Sequence, residues 1–376
     1  MNVYQHEYFI WGTGEDASSI QSCYGRELKQ IKILGYIDND ARKEGGIFFD
    51  KKVYTPSVLS RHADCGIIIA TSKYREEVVE QIKKEFPHHE VNIAERDFWK
   101  RLQILNRYQS STEPDICEIR EYLLCHALTY FNYGWKDKYR EEDIAVSFDD
   151  GNGLFYIWYN GRKMYISRSY DTEQKVREYI VSILLEQDVK SPHLYLSEQF
   201  GVGEQSVVVD AGVAEGNFSL SIIDHVKYIY LFEPDSQWVE ALQYTFEPFR
   251  DKVSIIGKGI SDYTDQGVTT LDAELGDTEI NFIKMDIEGE ELHALRGAKS
   301  LLCKSSDIKC AICTYHQEYA YEAIYSFLQD VGFEIETSRG YMYYPTDDFM
   351  GRAPVLRHGI IRAKKENEHQ CMTVEI

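Results

Sequence analysis

The sequence has no run of lysine and arginine, and its balance is acidic: 62 Asp and Glu against 41 Lys and Arg, a formal charge of −21. That excludes long-range attraction to nucleic acid or to an anionic membrane surface. No apolar stretch approaches the roughly 20 residues a membrane helix needs. The first residues, Met1 to Glu7, carry no basic cluster ahead of an apolar core, so they do not read as a signal peptide. Of the 8 cysteines, Cys310 and Cys313 stand at C-x-x-C spacing, with no second pair at zinc-like spacing. Both sit in an apolar run that reads as a strand, where residues three apart point to opposite faces. A shared metal or a redox pair is therefore not expected there. There is no low-complexity linker and no internal repeat. These absences describe a reduced, cytoplasmic protein without a membrane span.

What is present is a chain of 376 residues, 43% apolar, with room for two domains and 28 tyrosines. Tyrosine suits cores and amphipathic surfaces such as sugar sites alike. Near the start, Glu7–Trp11 reads as a strand, followed by Gly12-x-Gly14-x-x-Ala17 and a helix. A second strand runs from Lys32 to the acid Asp38, at a spacing that suits a dinucleotide fingerprint, where the acid would hold a ribose diol. A third strand, Cys65–Ala70, leads into a helix over Tyr74–Phe86, and a short strand is predicted over 90–94. Residues 1–100 thus read as a small doubly wound α/β domain. Residues 101–170 read as a connector, with a helix over Asp115–Phe131 and a hairpin turning at Asn160-Gly161.

The second domain, residues 171–376, is organised around Val207-Val-Val-Asp210-Ala-Gly212-Val-Ala-Glu215-Gly216-Asn217. Three valines ending in an acid read as a buried parallel strand. The glycine turn and helix start after it form a place where backbone N–H groups meet a ligand. An acid at the entrance favours a cationic ligand such as a sulfonium over a pyrophosphate. Further strands are predicted over Tyr228–Glu233, Val253–Ile256, Ile280–Asp286 and Lys309–His316. One helix is predicted over Glu290–Leu302, and an antiparallel pair of strands closes the sheet. Asp210, Glu233, Asp286 and His316 all fall at carboxyl ends of strands, where such sheets bind ligands. Glu233 suits the paired hydroxyls of a ribose. Ser261-Asp262 lies where an adenine edge would lie. Glu288, Glu290 and Glu291 stand at a helix start, where negative charge is stabilising in itself.

These motifs together, with Leu231-Phe-Glu233-Pro234-Asp235, Thr269-Thr-Leu-Asp272, Phe282-Ile-Lys284-Met-Asp286-Ile-Glu288-Gly-Glu-Glu-Leu292 and Leu295-Arg-Gly-Ala298, resemble the FkbM-type S-adenosylmethionine-dependent methyltransferases over residues 165–363. The resemblance implies a class I methyltransferase sheet of seven strands with the last antiparallel, and O-methylation of a sugar, a glycan precursor or a related metabolite. It implies a cofactor site built from Asp210, Gly212, Glu215, Gly216, Asn217, Glu233, Pro234, Ser261, Asp262 and Asp286. The chain departs from the commoner pattern at Ala214-Glu215 and at Cys313-Thr-Tyr-His316, which leaves the acceptor and the base open. More loosely, the first domain is similar to small Rossmann-like domains attached to sugar-modifying enzymes.

For methyl transfer to an alcohol, His316 or Asp286 is the candidate base, with Glu288 beside them. Asp286 and Glu288 could instead hold Mg²⁺, which the sequence does not require. Two rival readings remain. One is an NAD-dependent sugar-nucleotide oxidoreductase using the first glycine turn, although no Tyr-x-x-x-Lys pair supports it. The other is a non-catalytic binding module. The partner expected is a small-molecule or glycan acceptor, and the sequence is compatible with a homo-oligomer.

Overall fold

The computed structural model describes residues 2–345 and 353–365. They divide into two compact units, 2–134 with 353–356 and 135–345 with 357–365. The border falls inside the stretch expected to connect two domains. The helices of that stretch belong to the first unit and its hairpin to the second. Cys371 lies outside the described residues.

The first unit runs β1 (Glu7–Trp11), α1 (Glu15–Cys23), α2 (Gly25–Leu28), β2 (Lys32–Ile37), β3 (Ile47–Phe48), β4 (Lys51–Tyr54), β5 (Gly66–Ile69), α3 (Arg75–Glu85), α4 (Phe98–Arg107) and α5 (Pro114–Cys125). Its sheet has the order β3-β4-β2-β1-β5, and β1 is parallel to both of its neighbours. Every residue of β5 is buried, and Phe9, Ile37, Leu59 and Ile67 form the core beneath α3. The strand predicted over 90–94 is instead a tight helical turn, Pro87–Asn92, from which Ile93 alone bridges to Ile67. Proline opens that turn and leaves Val91 88% exposed, so only Ile93 and Ala94 of the predicted strand reach the core. The helix predicted to reach Phe131 stops at Cys125. There His126 turns extended and its Nδ1 lies 2.9 Å from the carbonyl of Tyr122.

The second unit opens with β6 (Ser147–Asp149), β7 (Leu154–Tyr159) and β8 (Arg162–Tyr165), a three-stranded antiparallel sheet whose hairpin turns at Asn160-Gly161. Then come α6 (Glu173–Glu186), β9 (Val207–Ala211), α7 (Asn217–Ile222), β10 (Tyr228–Phe232), α8 (Ser236–Thr245), β11 (Val253–Ile256), β12 (Gly259–Ile260), β13 (Val268–Thr269), α9 (Leu271–Leu275), β14 (Phe282–Met285), α10 (Glu291–Arg296), α11 (Lys299–Lys304), β15 (Ile308–Cys313), α12 (Ala320–Asp330), β16 (Glu334–Thr337) and β17 (Ile360–Lys365). The main sheet has seven strands in the order β11-β10-β9-β14-β15-β17-β16, with β17 antiparallel to both β15 and β16. This is the class I methyltransferase sheet. Its chain reverses direction across the sheet between β9 and β14, so ligands are expected beyond the carboxyl ends of those strands.

Burial explains why the sheet was readable. All four residues of β14 are buried, as are Val208 to Ala211 of β9. Val209, Ile283 and Ile312 join Leu295, Leu302 and Leu328 in one apolar layer. The helix predicted over Glu290–Leu302 breaks into α10 and α11 at Gly297. A Cβ there would lie 2.1 Å from the carbonyl oxygen of Ser261, and the chain bends to make that approach. Cys310 packs into the apolar layer while Cys313 turns its Sγ to 3.6 Å from His193 Nε2, so the two thiols face apart.

Candidate active site

The site grows from β9 and β14. Their register sets Asp210 opposite Lys284. Both are buried, and Lys284 Nζ lies 3.1 Å from Asp210 Oδ1 while Ser219 donates to Asp210 Oδ2 at 2.6 Å. Lys284 also donates to the carbonyl of Gly212 at 2.5 Å. Burial alone would lower the lysine's pKa, but Asp210 and Asp286 hold it above its ordinary value. The open negative charge expected at the mouth of the turn is therefore absent. Asp210 is neutralised inside the sheet, and the pair clamps the turn that follows.

That turn has no slack. Gly212 has φ +72°, and a Cβ on it would sit 1.7 Å from the carbonyl oxygen of Asp286. Only glycine lets β9 and the loop after β14 pass this closely. Gly216 precedes Asn217, the first residue of α7, and Asn217 is buried. Glu233 ends β10, where burial raises its pKa. One of its oxygens accepts from Ala214 N–H at 3.0 Å and the other from Asp235 N–H at 2.9 Å. Each oxygen keeps a lone pair for a further donor. Pro234 follows, with its Cβ near the start of β12, and Ser261 just beyond that strand is buried.

Two expected cofactor residues are engaged elsewhere. Asp262 forms a half-exposed pair with His293 Nδ1 at 2.9 Å. Glu215 accepts from the Tyr179 hydroxyl, and burial pushes its carboxyl up to about 7.

Asp286 caps β14 and is the hub of a second cluster. Tyr195 donates to its Oδ2 at 2.7 Å and Tyr315 to its Oδ1 at 3.3 Å. His193 and His316 each bring Nε2 to 3.4 Å from it. Burial would raise its pKa, but His193, Lys284 and His316 hold it well below the carboxylate range. His316 is itself buried, with Nδ1 2.8 Å from Glu291 Oε1 and Nε2 3.6 Å from Glu288 Oε2. Burial would lower the imidazole's pKa, yet Glu291, Asp286 and Glu288 together hold it above the ordinary 6.5. Glu288 is exposed and accepts from Tyr344 at 3.1 Å.

Asp286, Glu288 and His316 are thus brought together. The sequence reading did not place Tyr195, His193, Lys284 or Glu291 among the site residues. Glu291 does serve its helix start, accepting from Ile287 N–H at 3.0 Å and Gly289 N–H at 3.3 Å. It also backs the imidazole. Asp286, Glu291 and His316 offer ligand atoms within 4.8 Å of one another. Mg²⁺ favours oxygen ligands in an octahedron, and both Asp286 oxygens already have a tyrosine and a histidine against them, so the residues do not fit that ion.

The strand order with antiparallel β17, the glycine turn after β9 and the acid after β10 are the features that the resemblance to FkbM-type methyltransferases implied. Residues 211–335 match the family model of the methyltransferase FkbM domain, and the second unit carries that domain. Residues 4–92 match a different family model, C2185-like, N-terminal. Similar solved structures include a methyltransferase FkbM from Methylobacillus flagellatus (16% identity, 96% of this chain and 90% of that one, TM-score 0.40). Others are a precorrin-6y C5,15-methyltransferase from Geobacter metallireducens (11%, 44% and 82%, TM-score 0.32) and an rRNA methylase from Streptococcus thermophilus (18%, 44% and 89%, TM-score 0.28). No curated protein matches the chain.

Proposed function

We propose that the second unit transfers a methyl group from S-adenosylmethionine to a hydroxyl of a sugar, a glycan precursor or a related metabolite. The observation that carries the hydroxyl as acceptor is the buried His316, backed by Glu291 and aimed with its other nitrogen at the end of β14. A backed imidazole at that edge can take the proton that an alcohol loses as it is attacked. S-adenosylmethionine supplies the electrophilic methyl when bound. The residues fit it: the tight turn from Gly212 to Gly216 leads straight into the start of α7, and Glu233 is fixed by two main-chain donors with lone pairs left for a ribose diol. Tyr344, partly exposed beside His316 and the buried Tyr315, offers an amphipathic ring of the kind that suits a sugar face.

Two expected results follow. Glu233→Ala should weaken S-adenosylhomocysteine binding about tenfold to a hundredfold, the worth of hydrogen bonds to a charged group. Calorimetry on wild type and variant checks this, and unchanged affinity would remove Glu233 from the site. Methyl transfer should also be insensitive to EDTA, since Asp286 is already partnered by tyrosine and histidine. An activity lost to EDTA and restored by Mg²⁺ would refute that. Acceptor class is tested by labelled-methyl transfer to sugars and nucleotide-linked sugars. Transfer to amine acceptors alone would overturn the hydroxyl assignment.

A further inference from the structure

The first unit contains a cleft that the methyl-transfer reading leaves unused. It has a volume of about 560 Å³ and lies over the carboxyl ends of β1, β2 and β5, lined by Gly12, Gly14, Asp38, Lys43 and Tyr74 among others. The strand order β3-β4-β2-β1-β5 reverses at β1, which makes this the crevice where open α/β sheets hold ligands.

The two glycines of the turn have different reasons to be there. Gly12 has φ +123°, and a Cβ on it would meet the Ala70 carbonyl oxygen at 2.8 Å, so the fold itself requires it. Gly14 has an ordinary extended φ of −93°, and nothing lies within 4 Å of a Cβ built on it. It is the N-cap of α1 and provides no side-chain cap, although serine or aspartate would stabilise that helix better. Neither backbone nor packing explains Gly14. Its effect is to keep the floor of the cleft open beside the uncapped start of α1.

Asp38 closes the other side. Its side chain is 14% exposed, accepts from Thr13 and from Asp40 N–H, and pairs with Lys43 at 2.7 Å. Lys43 is 45% exposed, and so solvated a partner is readily displaced. Tyr74, 46% exposed, stands on the rim, and an aromatic face there can stack a base. Glu15 and Glu77 are also exposed on the lining. These two acids and Asp16 outnumber Lys73, the other cation on the lining beside Lys43, and so oppose a polyphosphate.

From this placement we infer that the first unit binds a nucleotide bearing one or two phosphates. Asp38 takes the ribose diol, Lys43 and the start of α1 take the phosphate, and Tyr74 takes the base. The inference is independent of the second unit's cofactor.

The test is calorimetry on the full chain with saturating S-adenosylhomocysteine present, so that an adenosyl site in the second unit is already filled. The probes are AMP, ADP, UDP, NAD and ATP, with inorganic phosphate and ribose as controls. Binding of at least one mono- or diphosphate nucleotide is expected, with ATP weaker than ADP. Asp38→Asn should weaken it by about tenfold or more, and Gly14→Leu should abolish it by filling the floor. Each variant is checked for an unchanged unfolding midpoint, and Asp38→Ala replaces Asp38→Asn if the latter unfolds. Binding of none of the nucleotides would overturn the inference. So would binding that both substitutions leave intact, or ATP binding tighter than ADP.

Discussion

Lys284→Ala should cost the protein about 3–5 kcal/mol, the usual penalty for breaking a buried ion pair from one side. The reason is the partner left behind. Asp210 has no access to solvent, and after the substitution it keeps only the Ser219 hydroxyl. Its charge would then sit in the sheet uncompensated, or the carboxyl would protonate at comparable cost. The lysine also holds the Gly212 carbonyl at 2.5 Å, so the turn after β9 loosens as well. For a unit of this size the loss corresponds to a fall of roughly 6–20 °C in unfolding midpoint. The cycle with Asp210→Asn separates pair from cavity. Lys284→Ala with Asp210→Asn should recover part of the loss, because the neutral amide needs no charged partner. Thermal unfolding of the four proteins measures this. Equal stability of Lys284→Ala and wild type would mean that the pair is not buried as described.

His316→Gln should lower turnover by about 10²–10⁴, the range for loss of a positioned base, while S-adenosylhomocysteine affinity stays within about twofold. Glutamine still offers an amide to Glu291, so the buried carboxylate keeps a partner and the fold is preserved. The pH profile gives the sharper signature. Three carboxylates hold the imidazole's pKa above 6.5, so the proton-accepting form grows in only as pH rises through that elevated value. Activity should therefore rise with pH along a limb centred above 6.5. Glu291→Gln removes one of those negative charges, lowers the imidazole's pKa and should shift the limb to lower pH. Glu291 would thereby act as a positioning residue. A limb that stays put in Glu291→Gln, or full turnover in His316→Gln, would remove this pair from the chemistry.

What the sequence revealed, and what it hid, follows from where each interaction is encoded. Asp210, Glu233 and Asp286 were legible because each ends an apolar run that could only be a buried strand, and strand ends carry the site in such sheets. Lys284 was legible as a residue but not as the partner of Asp210. That pairing depends on β14 lying beside β9 in one register, which no local pattern states. The reading of Asp210 as an open charge failed for the same reason. His193 and Tyr195 reach Asp286 from the irregular stretch before β9, where no periodicity marks which face is buried. Glu291 looked like an acid serving a helix start, and it is one. Its second role appears only once β15 brings His316 against it. In the first unit the glycine turn and Asp38 were legible together, whereas the turn over Pro87–Asn92 was not, because proline overrode an apolar alternation.

The central claim is that the turn after β9 and the acid after β10 form one adenosyl-cofactor site. Calorimetric titration of S-adenosylmethionine into the full chain tests it most directly. The account predicts a single micromolar site, competed by S-adenosylhomocysteine and indifferent to NAD. A folded protein that gives no heat with either adenosyl compound would contradict it.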